Sequence, residues 1–185
     1  VAGKVSPLDD IAVIQTELAL ADLATVEKTI HRETKKARSG DKEATALVTL
    51  LERVLIQLND AKPVRAMNLD KEQVAMLKPL CLITSKPAMY VANVSDSGFT
   101  NNPLLDQLSE YAKSQHSPIV AICASIESEI TDMDDSDKLD FLTDMGMEEP
   151  GLNRLIRAAF DLLGLQTYFT AGVKEVRAWT IHKGD

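Results

Sequence analysis

The sequence predicts an α/β protein: a parallel-sheet segment combined with an antiparallel helical hairpin, or coiled-coil arm, and a closing β-hairpin. Three observations carry this. Two short apolar runs, near Met89 to Val94 and Pro118 to Cys123, enclose a helix-length segment. A helical period runs from Pro7 toward Gly40 without a Pro or Gly in between, and a period-two stretch closes the chain. Strand, helix, strand in that order implies a right-handed parallel crossover.

Each element follows from its residues. Ser6 is placed to cap a helix, Pro7 suits the first helical position, and Asp9 complements the dipole in the first turn. Ile11, Ile14, Leu18 and Ala21, then Leu23, Val26 and Ile30, keep three- and four-residue spacing. A second helix carries Leu47, Leu51, Val54 and Leu58 as the seam of an antiparallel partner, with Ser39-Gly40-Asp41 as the turn between them. Pro63 ends that helix, and Asp70 with Gln73 forms a capping-box pattern opening a short helix to about Leu80. Asn102-Pro103 starts a helix through Ala112, and two further helices are expected near Ser136 to Met145 and from Pro150 to Leu163. Leu165 to Thr170, a turn at Ala171-Gly172, and Val173 to Ile181 read as a hairpin whose inner face Tyr168 and Trp179 pack. A lone hairpin is marginal in water, so it is expected to open a domain whose remainder is absent.

Composition excludes several function classes. No stretch approaches the roughly 18 apolar residues of a membrane helix, and Val1 to Val5 resembles no signal peptide, so a cytoplasmic location is expected. Cys81 and Cys123 both lie in apolar company and are expected to be buried reduced thiols. His31, His116 and His182 show no ligand spacing, and no metal site is expected. The net charge of −8 is unevenly placed: from Glu127 to Glu149 ten acids face Lys138 alone. From Lys28 to Lys42 six bases face Glu33 and Asp41, leaving +4 at the tip of the predicted arm. The acidic stretch from Asp132 to Asp144 lacks the Gly and terminal Glu of a calcium loop, and reads as a solvated linker and helix face.

The first apolar run ends in Asn93-Val94-Ser95-Asp96, the Asn-x-x-Asp form of the base-reading loop of P-loop GTPases. A carboxylate there can accept from both N1 and N2 of guanine, while the Asn amide ties neighbouring loops together. GTPases place a Lys where this chain has Val94. Asn and Asp after a strand are also ordinary turn residues. Ligands in parallel sheets gather beyond the carboxyl ends of the strands, which is where both Asn93 to Asp96 and Cys123 to Ser125 fall.

Four segments together resemble the YchF group of Obg-like P-loop ATPases: VAGKVSPLDDI at the start, Asp22 to Arg32 within ALADLATVEKTIHR, KPAMYVANVSDSGF from Lys86, and EEPGLNRLIRAAFDLLGLQTYFTAGVKEVRAWTI from Glu148. The resemblance implies part of a P-loop nucleotide-binding domain over 1–15 and 80–164. It further implies a helical hairpin insertion over 16–79 and the beginning of a ubiquitin-like TGS domain over 165–185. It places Asn93, Val94, Ser95 and Asp96 on the base-recognition motif and Cys123, Ala124 and Ser125 on the second base loop, whose backbone amides contact the purine. Simple strand-end packing of Cys123 and Ala124 is the alternative. The family motif usually ends in Glu and goes with ATP; Asp96, the residue GTPases use, leaves GTP open. Ribosome binding is a family association, for which Arg32, Lys35, Lys36, Arg38 and Lys42 are the candidate contacts. No aromatic interleaves these bases, so such contact is expected to be electrostatic.

No G-x-x-x-x-G-K-[ST] cradle occurs in the chain. On this reading the polypeptide is an internal piece of a nucleoside-triphosphate hydrolase, holding no catalytic residue, inactive alone, with Mg2+ ligands outside it. An open sheet edge is expected to favour self-association. The alternatives are a non-catalytic module that binds ribosomal RNA or protein through the arm, and a helical scaffold.

Overall fold

A computed structural model describes residues 5–184. Val1 to Lys4, which open the first resemblance segment and the predicted stretch 1–15, and Asp185, which ends the stretch 165–185, lie outside the described residues. Two compact units make up the chain, one running to Pro87 and the other starting at Ala88.

The first unit is a helical hairpin with a short-helix base. Helix α1 spans Pro7–Arg38 and α2 spans Lys42–Asn59. Between them Gly40 adopts φ +91, a left-handed conformation that costs glycine little, and Asp41 N–H donates 3.3 Å to Lys36 O, so the turn closes as a Schellman motif. Asp41 then caps α2 by accepting from Ala44 N–H at 3.1 Å. Ser6 stands at the α1 N-cap position, yet its side chain makes no cap bond.

Val26, Leu51, Val54 and Leu58 are at most 1% exposed at the seam, and burying each such side chain contributes about 1.5–3 kcal/mol. The seam is shorter than the α1 period predicts: buried apolar residues on α1 begin at Ala19, while Ile14 and Ala21 are exposed. Length explains this. An 18-residue α2 covers about 27 Å of axis against about 48 Å for the 32 residues of α1.

Below the hairpin, α3 (Lys71–Leu77) opens with the expected capping box on Asp70 and Gln73. Single 3-10 turns at Val64–Ala66, Lys78–Leu80 and Ile83–Ser85 bring Val64, Leu77 and Leu82 into the same core. Cys81 corrects an expectation. It ends a 3-10 turn at φ +50 and is exposed, because that turn sends the next residue, Leu82, inward instead.

In the second unit, β1 (Tyr90–Asn93) and β2 (Ile119–Ile122) pair in parallel, Tyr90 opposite Ile119 and Asn93 opposite Ile122. Helix α4 (Pro103–Ser114) lies between them in sequence, capped by Asn102. Then come α5 (Ala124–Thr131), α6 (Asp135–Asp144) and α7 (Gly151–Leu162). Cys123, Ile126, Ile130 and Leu142 form the buried cluster of this unit, with Phe99 and Phe141 against it.

The chain closes with antiparallel β3 (Leu165–Ala171) and β4 (Val176–His182). Their loop is Gly172 to Glu175, two residues longer than the Ala171-Gly172 turn expected, and is closed by Gly172 N–H to Glu175 O at 2.9 Å. Tyr168 and Trp179 stand directly opposite each other, but at 44% and 43% exposure they face solvent rather than a packed inner face. Trp179 Nε1 meets its donor requirement at Thr170 Oγ1, 2.9 Å away. No helix among the described residues is long and apolar enough to cross a membrane.

Candidate functional site: two loops at the ends of parallel strands

The parallel ladder continues one residue past β1, with Val94 N–H donating to Ile122 O at 2.8 Å. That bond delivers Asn93 to Asp96 and Cys123 to Ser125 side by side at the carboxyl end of the sheet. Asn93 Oδ1 accepts from Ala124 N–H at 3.0 Å, so the Asn side chain stitches one loop to the other and keeps its amide donors for another acceptor. Asp96 Oδ1 meets Ser125 Oγ at 3.3 Å and Cys123 Sγ at 3.5 Å, and Sγ and Oγ are 3.0 Å apart.

Cys123 is 2% exposed, whereas Asn93, Ser95, Asp96, Ala124 and Ser125 lie on the surface and Val94 is half-buried. A buried anchor therefore holds exposed polar groups, as a small-molecule rim requires.

The loop beyond Asp96 is tight. A Cβ on Gly98 would stand 3.0 Å from Val94 Cβ and 3.1 Å from Ser95 N. Gly98 N–H donates to Ser95 O at 2.8 Å, and Gly98 O accepts from Asn102 Nδ2 at 2.9 Å. Asn102 thereby caps α4 and braces the loop at once. Arg154 of α7 supports the same region: its guanidinium lies 5.9 Å from the Phe99 ring centroid and donates to Ala121 O at 3.0 Å.

Helix α5 begins where the sequence shows only small residues. Ala124 and Ser125 form its first turn, so the loop after β2 is also a helix N-terminus. With two Ser, two Ile and a Thr, ASIESEIT is a middling helix former too short to hold alone, and the available signal was the pair Ile126 and Ile130, four residues apart and both buried. Glu127 of α5 was not singled out by sequence reasoning. Its Oε1 accepts from Gly151 N–H at 2.6 Å and its Oε2 from Leu152 N–H at 3.2 Å, replacing the cap that Pro150 cannot provide. Other members of the acidic stretch are also structural. Asp134 caps α6, and the amide of Asp137 followed by the Ser136 hydroxyl holds its carboxyl below the usual range. Glu149 forms a two-pronged pair with Arg157 at 2.8 and 2.9 Å. Among the described residues no three His, Cys, Asp or Glu side chains gather as a metal site would require.

In the other unit, the basic arm tip divides into two groups. Buried Glu33 holds Lys36 Nζ at 2.8 Å and Arg32 Nε at 2.7 Å, and these bonds, Lys36 first, lower its pKa. No ion pair among the described residues involves Lys35, Arg38 or Lys42. Lys35 and Arg38 instead line, with His31, Thr34 and Ile30, a hollow of about 440 Å³ on the arm.

No family model matches the chain. The ribosome-binding ATPase YchF of Escherichia coli O157:H7 is 55% identical over 184 residues, covering 100% of this chain and 51% of the relative. That of Bacillus subtilis strain 168 is 44% identical over 187 residues, again 100% of this chain and 51% of the relative. The chain belongs to the YchF family. The solved YchF GTPase of Schizosaccharomyces pombe superposes with a TM-score of 0.87 at 27% identity, covering 100% of this chain and 51% of that one. The chain thus spans about half the length of the curated YchF relatives it matches. The α/β class, the helical arm and the terminal hairpin are features of a YchF fold.

Proposed function

We propose that this chain supplies the purine-reading corner and the helical arm of a ribosome-associated nucleoside-triphosphate hydrolase. One observation carries the reading: Asn93 Oδ1 to Ala124 N–H at 3.0 Å, reinforced by Asp96 to Ser125 at 3.3 Å, joins two loops at the ligand-binding end of a parallel sheet. The residues fit a purine. Asn93 amide donors suit the ring nitrogens, the Asp96 carboxylate suits an exocyclic amino group, and Ala124 and Ser125 have small side chains at a helix start. In this proposal the base-reading residues are Asn93, Val94, Ser95, Asp96, Cys123, Ala124 and Ser125. ATP is the nucleotide, with GTP the competitor, and the phosphates and Mg2+ are held by residues outside this chain. The domain division is that of the sequence reading, with residues 1–15 and 80–164 serving the nucleotide, 16–79 the arm, and 165–185 the start of a TGS domain.

Ribosome contact is assigned to the arm tip. Lys35, Arg38 and Lys42 are free of ion pairs among the described residues and supply the phosphate-facing charge, while Arg32 and Lys36 are partly offset by Glu33. The names of the relatives, ribosome-binding ATPase and GTPase, support both halves of the reading. Open outer edges on β1 and β2 among the described residues, with Val91 44% exposed, support self-association of the isolated polypeptide.

The test measures nucleotide and ribosome binding by the protein expressed from its complete reading frame. Asp96→Ala is expected to weaken nucleotide affinity about tenfold or more, the loss of one charge-assisted hydrogen bond. Lys35→Glu with Arg38→Glu is expected to weaken ribosome co-sedimentation and flatten its salt dependence. Unchanged nucleotide affinity in Asp96→Ala sinks the base-site reading, and unchanged co-sedimentation removes the arm tip.

A further inference from the structure

The base of the arm carries a hollow of about 660 Å³ that neither the base-site reading nor the arm tip uses. Its floor belongs to the core of the first unit: Val64, Leu77 and Leu82 are buried there, and Met67 and Leu69 pack against them. Val74 of α3, 52% exposed, adds to the apolar lining. Arg65, Lys78 and Lys86 also line the hollow, and no ion pair among the described residues involves any of them. Among the described residues lining it, none is acidic and none is aromatic. The acids of α3 point elsewhere: Asp70 and Glu72 line a separate hollow with Arg53 of α2. The walls are set before any occupant arrives. The Asp70 and Gln73 capping box fixes the start of α3, and the Asp22 carboxylate holds the amides of Ile83 and Thr84, both at 2.8 Å.

We propose that this hollow is a docking groove for an acidic amphipathic helix of a partner protein. A helix laid in a groove anchors through apolar side chains at three- and four-residue spacing and keeps its polar face outward. The hollow lies within the range of about 300–1,000 Å³ that encloses ligand-sized apolar groups, and a lining of Met, Leu and Val adapts to such anchors. Carboxylates flanking the anchors meet Arg65, Lys78 and Lys86 with no lining acid to repel them, which sets the sign of the partner. RNA shares that sign but suits the surface less: no lining ring offers a base a stacking face, and a phosphate backbone leaves the apolar floor wet. The exposed thiol of Cys81 also lines the hollow, so an occupant covers it.

Two probes test this on the protein expressed from its complete reading frame: a helical peptide with Leu along one face and Glu on the other, and its twin with Lys in place of Glu. Fluorescence anisotropy is expected to show the Glu peptide binding at least about tenfold more tightly than the Lys peptide. Lys78→Glu with Lys86→Glu is expected to reverse that order; both lysines are exposed, and the comparison of peptides on wild type needs no variant to fold. With the Glu peptide at about ten times its Kd, alkylation of Cys81 by a maleimide, read by peptide mapping, is expected to slow about tenfold. Failure of the Glu peptide to bind, equal affinity for the two peptides, or binding that leaves Cys81 alkylation unchanged overturns the proposal. So does a Cys81 that resists alkylation in the free protein, because the remaining length of the protein then covers the hollow itself. A single-stranded RNA that protects Cys81 as well as the Glu peptide does overturns the choice of a protein partner.

Discussion

Replacing Asp22 tests whether one buried carboxylate holds the base of the helical arm to its long helix. Asp22 is 2% exposed, and its two oxygens accept from Ile83 N–H and Thr84 N–H, both at 2.8 Å. Those are the first amides of a 3-10 turn with no capping side chain of its own. Thr84 Oγ1 in turn accepts from Val64 N–H at 3.3 Å, and Thr84 O accepts from Arg65, so the turn is the knot between three stretches of chain.

Asn at position 22 keeps one acceptor and presents an N–H to the other amide. One hydrogen bond to a charged group is lost, worth about 1.5–3 kcal/mol, and a buried donor is left unpaired at about 1–3 kcal/mol more. Taking a value near the lower end of that sum, about 3 kcal/mol, native-state exchange at the Ile83 and Thr84 amides should speed up about a hundredfold or more in Asp22→Asn, and further in Asp22→Ala. Amide exchange is the assay of choice because a chain of two units has no single unfolding free energy. Protection within about threefold of wild type at both amides would refute the reasoning and reassign the turn to packing of Leu82.

Two smaller perturbations follow from other carboxylates. Glu127→Ala removes the acceptors at the start of α7 and is expected to lower the stability of the second unit by about 1–2 kcal/mol, seen as faster exchange at Gly151 and Leu152. Glu33 has a native pKa lowered from 4.5 by Lys36 and then Arg32, so its contribution is whole above that value and is lost as pH falls through the lower native one. Glu33→Gln should therefore lower the stability of the arm at neutral pH and change it little in acid, which flattens the acid limb of its helical melting curve.

Much of this fold was legible because its signals are local. Gly40 with Asp41, Pro63, the Asp70 and Gln73 box, and Asn102-Pro103 each act within a turn of chain, and each marks the boundary its chemistry dictates. What sequence reasoning missed depends on partners distant in sequence. Whether Ile14 is buried depends on how far α2 reaches, and Cys81 is exposed because its own left-handed backbone turns the chain so that Leu82 takes the place in the core. Helix α5 is two turns long, too short to hold by propensity alone, and the packing of Ile126 and Ile130 sustains it. At the candidate site the residue set was readable from Asn-x-x-Asp and the two strand ends. The approach of Cys123 and Ser125 to one Asp96 oxygen was not, since they lie 27 and 29 positions away.

The brevity of α5 has a mechanical consequence. Ser125, which grips Asp96, and Glu127, which grips the first amides of α7, are two residues apart on one helix, about 3 Å along its axis. Helix α7 then runs to Asp161, whose carboxylate holds Lys183 just past the end of β4 at 2.8 Å. The loop pair at the sheet end and the terminal hairpin are thus the two ends of a short linkage of helices, with carboxylates as its joints.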